Sequence, residues 1–88
     1  MNGYIYIIRN KINSKVYIGQ TTQRPKDRWK DHKSKSKYKN NVLYKAIRKY
    51  GIDNFYMNII EDNVPYEKLS EREIFWIEKY DSYKNGYN

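Results

Sequence analysis

In "LSEREIFWIEKY", residues 69 to 80, Leu69, Trp76, Ile77 and Tyr80 recur at the i, i+7, i+8 and i+11 positions of a core-facing helical stripe. Glu73, at i+4, stands in the middle of that stripe. Such a carboxylate holds a hard cation, snorkels off the helix edge, or pairs with a buried basic side chain; helix geometry leaves the three open. Mg²⁺ keeps several of its waters and is often bound through one or two carboxylates, so one acid suffices for one metal, whereas two metals about 4 Å apart call for several. Arg28 and His32 lie at i, i+4 in "DRWKDH" and share a helix face, either as a working pair or as exposed members of a basic helix. Tyr4, Tyr6, Lys15 and Tyr17 share one face of a candidate hairpin, either an aromatic platform for a partner or a half-exposed strand surface. Cleaving a phosphodiester takes a base for the attacking water, a cation near the scissile phosphate and a stabiliser of the departing oxygen. These residues offer candidates for all three.

The elements that must position them can be read from periodicity. "YIYII" and "KVYIG" alternate with period two around the turn-forming "RNKINS", which predicts an antiparallel hairpin with Ile5, Ile7, Val16 and Ile18 on a core face and the tyrosines opposite. Thr22 as cap and Pro25 in the first turn start a helix that runs to about Lys35. "NVLYKAIRKYG" gives a second helix with Leu43, Ile47 and Tyr50 on one side and Gly51 just past its end. Phe55 to Ile60 reads as a third strand, Pro65 leads into the Glu73 helix, and "SYKNGYN" is turn chemistry. The expectation is one α/β domain over residues 1–88, a small three-stranded antiparallel sheet flanked by three helices in the order β-β-α-α-β-α.

Composition narrows the partners. The chain has 88 residues and no cysteine, so neither a disulfide framework nor a thiolate zinc site supports it, and a lone His32 makes no histidine cluster. No basic leader followed by an apolar run and no membrane-length apolar stretch is visible, which reads as a soluble intracellular protein. Residues 1–52 carry a net charge of +12 and residues 53–88 a net −4. A basic half of this kind is the footprint of a polyanion binder, or of a lysine-rich solvated face.

Taken jointly, "YIY" at residues 4 to 6, "YIG" at 17 to 19, "DRWKDH", "SEREIFWI" and the terminal "NGYN" resemble the motifs of the GIY-YIG nuclease family over essentially the whole chain, most closely the catalytic domains of its homing endonucleases. The resemblance implies that Tyr6 is a general base toward the attacking water, with Tyr17 beside it. By the same resemblance Gly19 permits close backbone approach, Arg28 contacts the scissile phosphate, His32 shares its helix, Glu73 binds the metal and Asn88 supports the site. Tyr4 stands where the first motif usually has glycine, which predicts a local adjustment at the strand end without loss of activity.

The resulting expectation is a DNA endonuclease dependent on Mg²⁺ or Mn²⁺; the sequence leaves open whether it is a monomer in isolation. Tyr6, with a free phenol pKa near 10, needs a neighbouring cation, and Lys15 across the hairpin is the candidate, against the reading of an ordinary turn lysine. Lys15, Arg24, Lys26, Lys30, Lys33, Lys35, Lys45 and Lys49 are expected to bind the DNA backbone without reading bases. The rivals are a non-catalytic nucleic-acid-binding module on the same scaffold and, more weakly, an interaction domain for an acidic protein. No module for sequence-specific readout is visible, so a longer enzyme with a C-terminal DNA-binding region is expected, as in the homing enzymes that the chain resembles.

Overall fold

Alternating apolar residues form β1 (Asn2–Asn10) and β2 (Val16–Thr21) of the computed structural model, which describes residues 1–88. Their turn is held by asparagines: Asn10 Oδ1 accepts the Ile12 N–H at 2.9 Å, Asn13 Oδ1 accepts the Lys15 N–H at 3.0 Å, and Ser14 takes a positive φ of 64°. With β3 (Phe55–Pro65) these strands form an antiparallel sheet in the order β2-β1-β3. β1 is therefore the central strand and carries Tyr6, which pairs with Gly19 on one side and Ile59 on the other.

β3 continues past the expected Ile60 because two register shifts against β1, with Asn63 at φ 51°, keep the polar "EDN" segment paired until Asn2 meets Pro65. The irregularity flanks Tyr4, so the adjustment expected at that position occurs in the β1·β3 ladder. Gly3 carries the close approach there, since a Cβ would stand 2.6 Å from the Thr21 carbonyl oxygen.

Each face of the sheet carries an apolar cluster; on the tyrosine face Tyr4 and Tyr17 are half-buried as a half-exposed strand surface would have them, but Tyr6 is fully buried. Ile5, Ile7, Val16, Ile18 and Val64 form one cluster with Leu69, against which Trp76 and Ile77 pack. Tyr6 and Ile8 point the other way into a second cluster with Leu43, Tyr44, Ala46, Ile47, Phe55 and Tyr87. The helices Val42–Tyr50 and Leu69–Tyr80 carry apolar stripes that contribute to the two clusters, whereas the helix Pro25–Lys35 is mostly polar and buries His32 alone.

The helices follow from local signals. α1 (Pro25–Lys35) starts with Pro25 in its first turn and Asp27 at its positive end, but Arg24 is the residue that precedes it and no side chain caps it; Thr22 does not. α2 (Val42–Tyr50) is capped by Asn41, whose Oδ1 accepts the Tyr44 N–H at 2.8 Å, and ends at Gly51 with φ 90°. α3 (Leu69–Tyr80) lies along the Ile5/Ile18 face and is fastened to β3 by Glu61, which accepts from Arg72 Nε at 2.6 Å and Trp76 Nε1 at 2.8 Å. Tyr80, expected in the core, is 38% exposed at the helix end, its ring against Trp76. Asp81 then turns left-handed at φ 52°, and a one-turn α4 (Ser82–Asn85) follows where only turns were expected, bringing four helices in place of three. No helix is long and apolar enough to cross a membrane.

Candidate active site

The site is built on the β1–β2 crossing. Tyr6 lies over Gly19: a Cβ at Gly19 would stand 2.3 Å from Tyr6 Cζ and 2.4 Å from its hydroxyl oxygen, so only glycine lets the ring cross the neighbouring strand. Tyr17, two residues before Gly19, brings its ring to 6.3 Å from that of Tyr6. His32 descends from α1 onto both rings, 5.7 Å from each. Its Nε2 meets the Tyr6 hydroxyl at 2.6 Å and its Nδ1 the Tyr44 hydroxyl at 2.7 Å. Arg28, one turn earlier on α1, stands beside Tyr6 and is held by Asp31 at 2.6 Å; Lys35 shares the same Asp31 oxygen at 3.0 Å.

Burial sets the protonation of this cluster. Desolvation, reinforced by Tyr17, pushes the Tyr6 phenol far above its ordinary value, and the Arg28 guanidinium pulls back by charge and hydrogen bonding without cancelling it. Tyr17 is raised as well, first by desolvation and then by the charge of Glu73. His32 is driven down to about 4 by desolvation and by Arg28, with Asp31 opposing and Lys35 assisting, so the ring is neutral near pH 7. The Asp31 carboxyl is held down by its hydrogen bond from Lys35.

Tyr6 is 0% exposed, so an attacking water does not touch it directly in this conformation. Tyr17 is only half-buried and lies between Tyr6 and Glu73, close enough to both to be shifted by their presence. The outward-facing phenol of the pair is therefore Tyr17, with Tyr6 behind it.

Glu73 is half-buried on α3 and reaches the site at the β2 edge, where Gln20 Nε2 donates to its Oε1 at 3.4 Å. Desolvation raises its pKa, and hydrogen bonds from Gln20 only partly offset this. None of the salt bridges involves it, which removes the buried-cation explanation for its place in the stripe. No cluster of three or more metal-ligating side chains exists, so a cation at Glu73 would take its remaining ligands from water and substrate. A half-buried, unpaired carboxylate at an open edge fits a single hydrated Mg²⁺ or Mn²⁺.

Asn88 spends its amide on the scaffold. Its Oδ1 accepts from the Ile18 N–H at 2.7 Å and from Ser82 Oγ at 2.6 Å, and its Nδ2 donates to the Ile18 carbonyl at 2.7 Å. It thereby pairs the free edge of β2 between Tyr17 and Gly19. Lys15 does not serve Tyr6: it faces solvent, and its carbonyl bonds the Asn10 amide at the turn, four positions along β2 from Gly19 or roughly 13 Å at strand spacing. Arg28 is the cation at Tyr6. Of the expected backbone-binding residues, Lys26, Lys30, Lys33, Lys45 and Lys49 are exposed, while Arg24 and Lys35 are paired to Asp27 and Asp31. Sequence reading missed Gln20, Asp31, Ser82 and Tyr44; for Tyr44 the signal was its place three residues before Ile47 on the apolar side of α2.

Comparison with known proteins follows the same lines. The family described as "GIY-YIG catalytic domain" matches residues 2–88. The chain is 40% identical over 93 residues to intron-associated endonuclease 1 of Enterobacteria phage T4, a match covering 100% of this chain and 37% of that protein. It is 33% identical over 61 residues to an MSV199 domain-containing protein of Invertebrate iridescent virus 6, covering 68% of this chain and 25% of that one. The chain thus spans well under half the length of these curated relatives. Among solved structures, the catalytic domain of the homing endonuclease I-TevI superposes with a TM-score of 0.86 at 34% identity, covering 98% of this chain and 96% of that one. A mutant form of the same domain gives 0.86 at 36% identity over 100% of this chain and 93% of that chain.

Proposed function

The chain belongs to the GIY-YIG nuclease family, and on that premise we propose that residues 1–88 act as one catalytic unit that hydrolyses DNA phosphodiester bonds, as the catalytic part of a homing-type endonuclease inside the cell. The observation that carries this reading is the convergence of Tyr6, Tyr17, Arg28 and His32 from three elements over Gly19, with an unpaired Glu73 at the edge. A binding module has no use for an uncompensated carboxylate facing phosphates.

Tyr17 meets the attacking water and relays its proton to Tyr6 behind it, which gives up its own hydroxyl proton to His32 Nε2 in the same movement. Arg28 presents its free N–H groups to the scissile phosphate while favouring the ionised form of Tyr6. His32 holds the Tyr6 hydroxyl in place, and Asn88 holds the Ile18 main chain so that Tyr17 and Gly19 keep their geometry. Glu73 would hold Mg²⁺ or Mn²⁺, which when bound supplies charge stabilisation for the departing 3′-oxygen. The exposed lysines of α1 and α2 bind neighbouring phosphates, and one site per chain nicks one strand at a time.

A single-turnover plasmid-nicking assay with Mg²⁺ or with EDTA tests this. Wild type is expected to nick only with the metal, and Tyr6→Phe and Glu73→Gln to lose on the order of 10²-fold or more in rate while staying folded. Glu73→Gln nicking as fast as wild type, or wild type remaining inert across divalent metals, would sink the proposal.

A further inference from the structure

The Tyr6 hydroxyl has three polar neighbours: Arg28, Tyr17 and His32 Nε2. Arg28 only donates, so it claims a lone pair on the Tyr6 oxygen and cannot receive the Tyr6 proton. That proton goes either inward to His32 or outward toward Tyr17 and the substrate. The choice is made by the imidazole tautomer, because a neutral ring has one N–H and one lone pair.

We propose that Tyr44 is a positioning residue that keeps the His32 proton on Nδ1, so that Nε2 accepts the hydrogen bond from Tyr6 and the Tyr6 oxygen faces the reaction as an acceptor. The inference rests on the nuclease reading above. The Nδ1 contact to the Tyr44 hydroxyl is 2.7 Å, and the ring is 2% exposed, so with Tyr44 gone little room remains for water to replace it. Tyr44 is itself only 4% exposed and seated in the α2 cluster, which fixes its ring against His32. Every buried polar side-chain atom has a partner, so this contact fills a requirement of the imidazole. The charged and titratable groups around the ring are Arg28, Asp31 and Lys35 from α1, Tyr6 from β1, Tyr17 from β2 and Tyr44 from α2.

The polarity matters for the chemistry. With the proton on Nδ1, the water O–H bond breaks as a proton passes to Tyr17, the Tyr17 proton passes to Tyr6, and the Tyr6 proton moves to Nε2. Hydroxide then bonds to phosphorus as the P–O3′ bond breaks, and the departing oxygen takes a proton from solvent. One proton has left water and one rests on the imidazole, to be returned by the same path after release. With the proton on Nε2 the chain is reversed: Tyr6 receives a hydrogen bond from His32 and directs its own O–H outward, where it opposes proton uptake.

His32 is the only histidine in the chain, so its ¹⁵N resonances report the tautomer without assignment ambiguity. In the wild-type protein at neutral pH, long-range ¹H–¹⁵N correlation is expected to give the Nδ1–H form; in Tyr44→Phe, which keeps the ring and removes the hydroxyl, the Nε2–H form gains population. Single-turnover nicking by Tyr44→Phe should fall about tenfold to a hundredfold, the range for losing a residue that orients a working histidine. An Nε2–H wild type overturns the proposal, as does a Tyr44→Phe variant that keeps either the wild-type tautomer or the wild-type rate. The tautomer is read without DNA, so a wild type that does not nick defeats the nuclease reading and leaves the placement of the proton to be decided on its own.

Discussion

His32 ties the protonation of the site to the stability of the protein. Its folded-state pKa of about 4 lies below the ordinary value of 6.5, so the unfolded chain binds the extra proton first as pH falls. Stability from this residue is therefore complete above about pH 7 and is lost progressively as pH drops from 6.5 toward 4. Between pH 7 and pH 5 the loss should be about 2 kcal/mol, and urea unfolding at the two values measures it; equal midpoints would contradict the buried neutral imidazole. Glu73 acts in the opposite sense. Its carboxyl is raised by desolvation, so ionising it lowers stability as pH climbs through the carboxylate range, and a charge with no cation partner weakens the fold at neutral pH. Glu73→Gln is accordingly expected to melt no lower than wild type in EDTA while losing the stabilisation that wild type gains on adding Mg²⁺, which thermal unfolding with and without the metal records. The sequence made Glu73 conspicuous through a period of 3.6, yet it could not exclude a buried basic partner, because which strand residue meets it, here Gln20, is decided by how α3 docks on β2.

At the scale of elements, the hairpin, α1, α2 and α3 were all legible, since the hairpin, α2 and α3 rest on a local period or cap and α1 on Pro25 in its first turn. What escaped was where one element ends on another. β3 runs to Pro65 because its partner strand begins at Asn2, a pairing across the whole chain that no window over residues 60–65 contains. The same limit explains Lys15, which shares a face with Tyr17 in the alternation but sits at the turn once Tyr6 is paired with Gly19. That pairing also explains why glycine stands there. Gly19→Ala would place a methyl group 2.3 Å from Tyr6 Cζ, against a ring already fixed by His32 and the second core cluster. The expected outcome is a loss of about 1–3 kcal/mol in stability together with loss of nicking, because the ring must leave the Arg28–His32 position to relieve the overlap. Chemical denaturation and the nicking assay read the two effects, and an alanine variant with wild-type activity would show that Tyr6 need not lie over this residue.

For the whole molecule, charge asymmetry is the feature that sequence alone displays most openly and describes least well. The net +12 of residues 1–52 and −4 of residues 53–88 place the attraction for DNA on the side of α1 and α2. Sequence reading counted eight cations as backbone contacts. Three of them are less free to contribute: Lys15 lies at the hairpin turn, Arg24 is paired to Asp27 at 2.9 Å, and Lys35 shares Asp31 with Arg28. Lys26, Lys30, Lys33, Lys45 and Lys49 remain unpaired to acids and exposed. Each phosphate neutralised contributes about −0.9 to the slope of log K against log salt for duplex DNA, so these five predict a slope near −4.5, whereas all eight would give about −7. Fluorescence anisotropy with a short duplex and the Glu73→Gln variant, expected to bind without cutting, measures it across salt concentrations. Lys30→Ala should reduce the slope by about one and Lys35→Ala by much less, because Asp31 already neutralises Lys35 in the free protein. A slope near −7, or equal effects of the two substitutions, would mean that DNA displaces Asp27 and Asp31 from their partners and that α1 binds as a wholly basic helix.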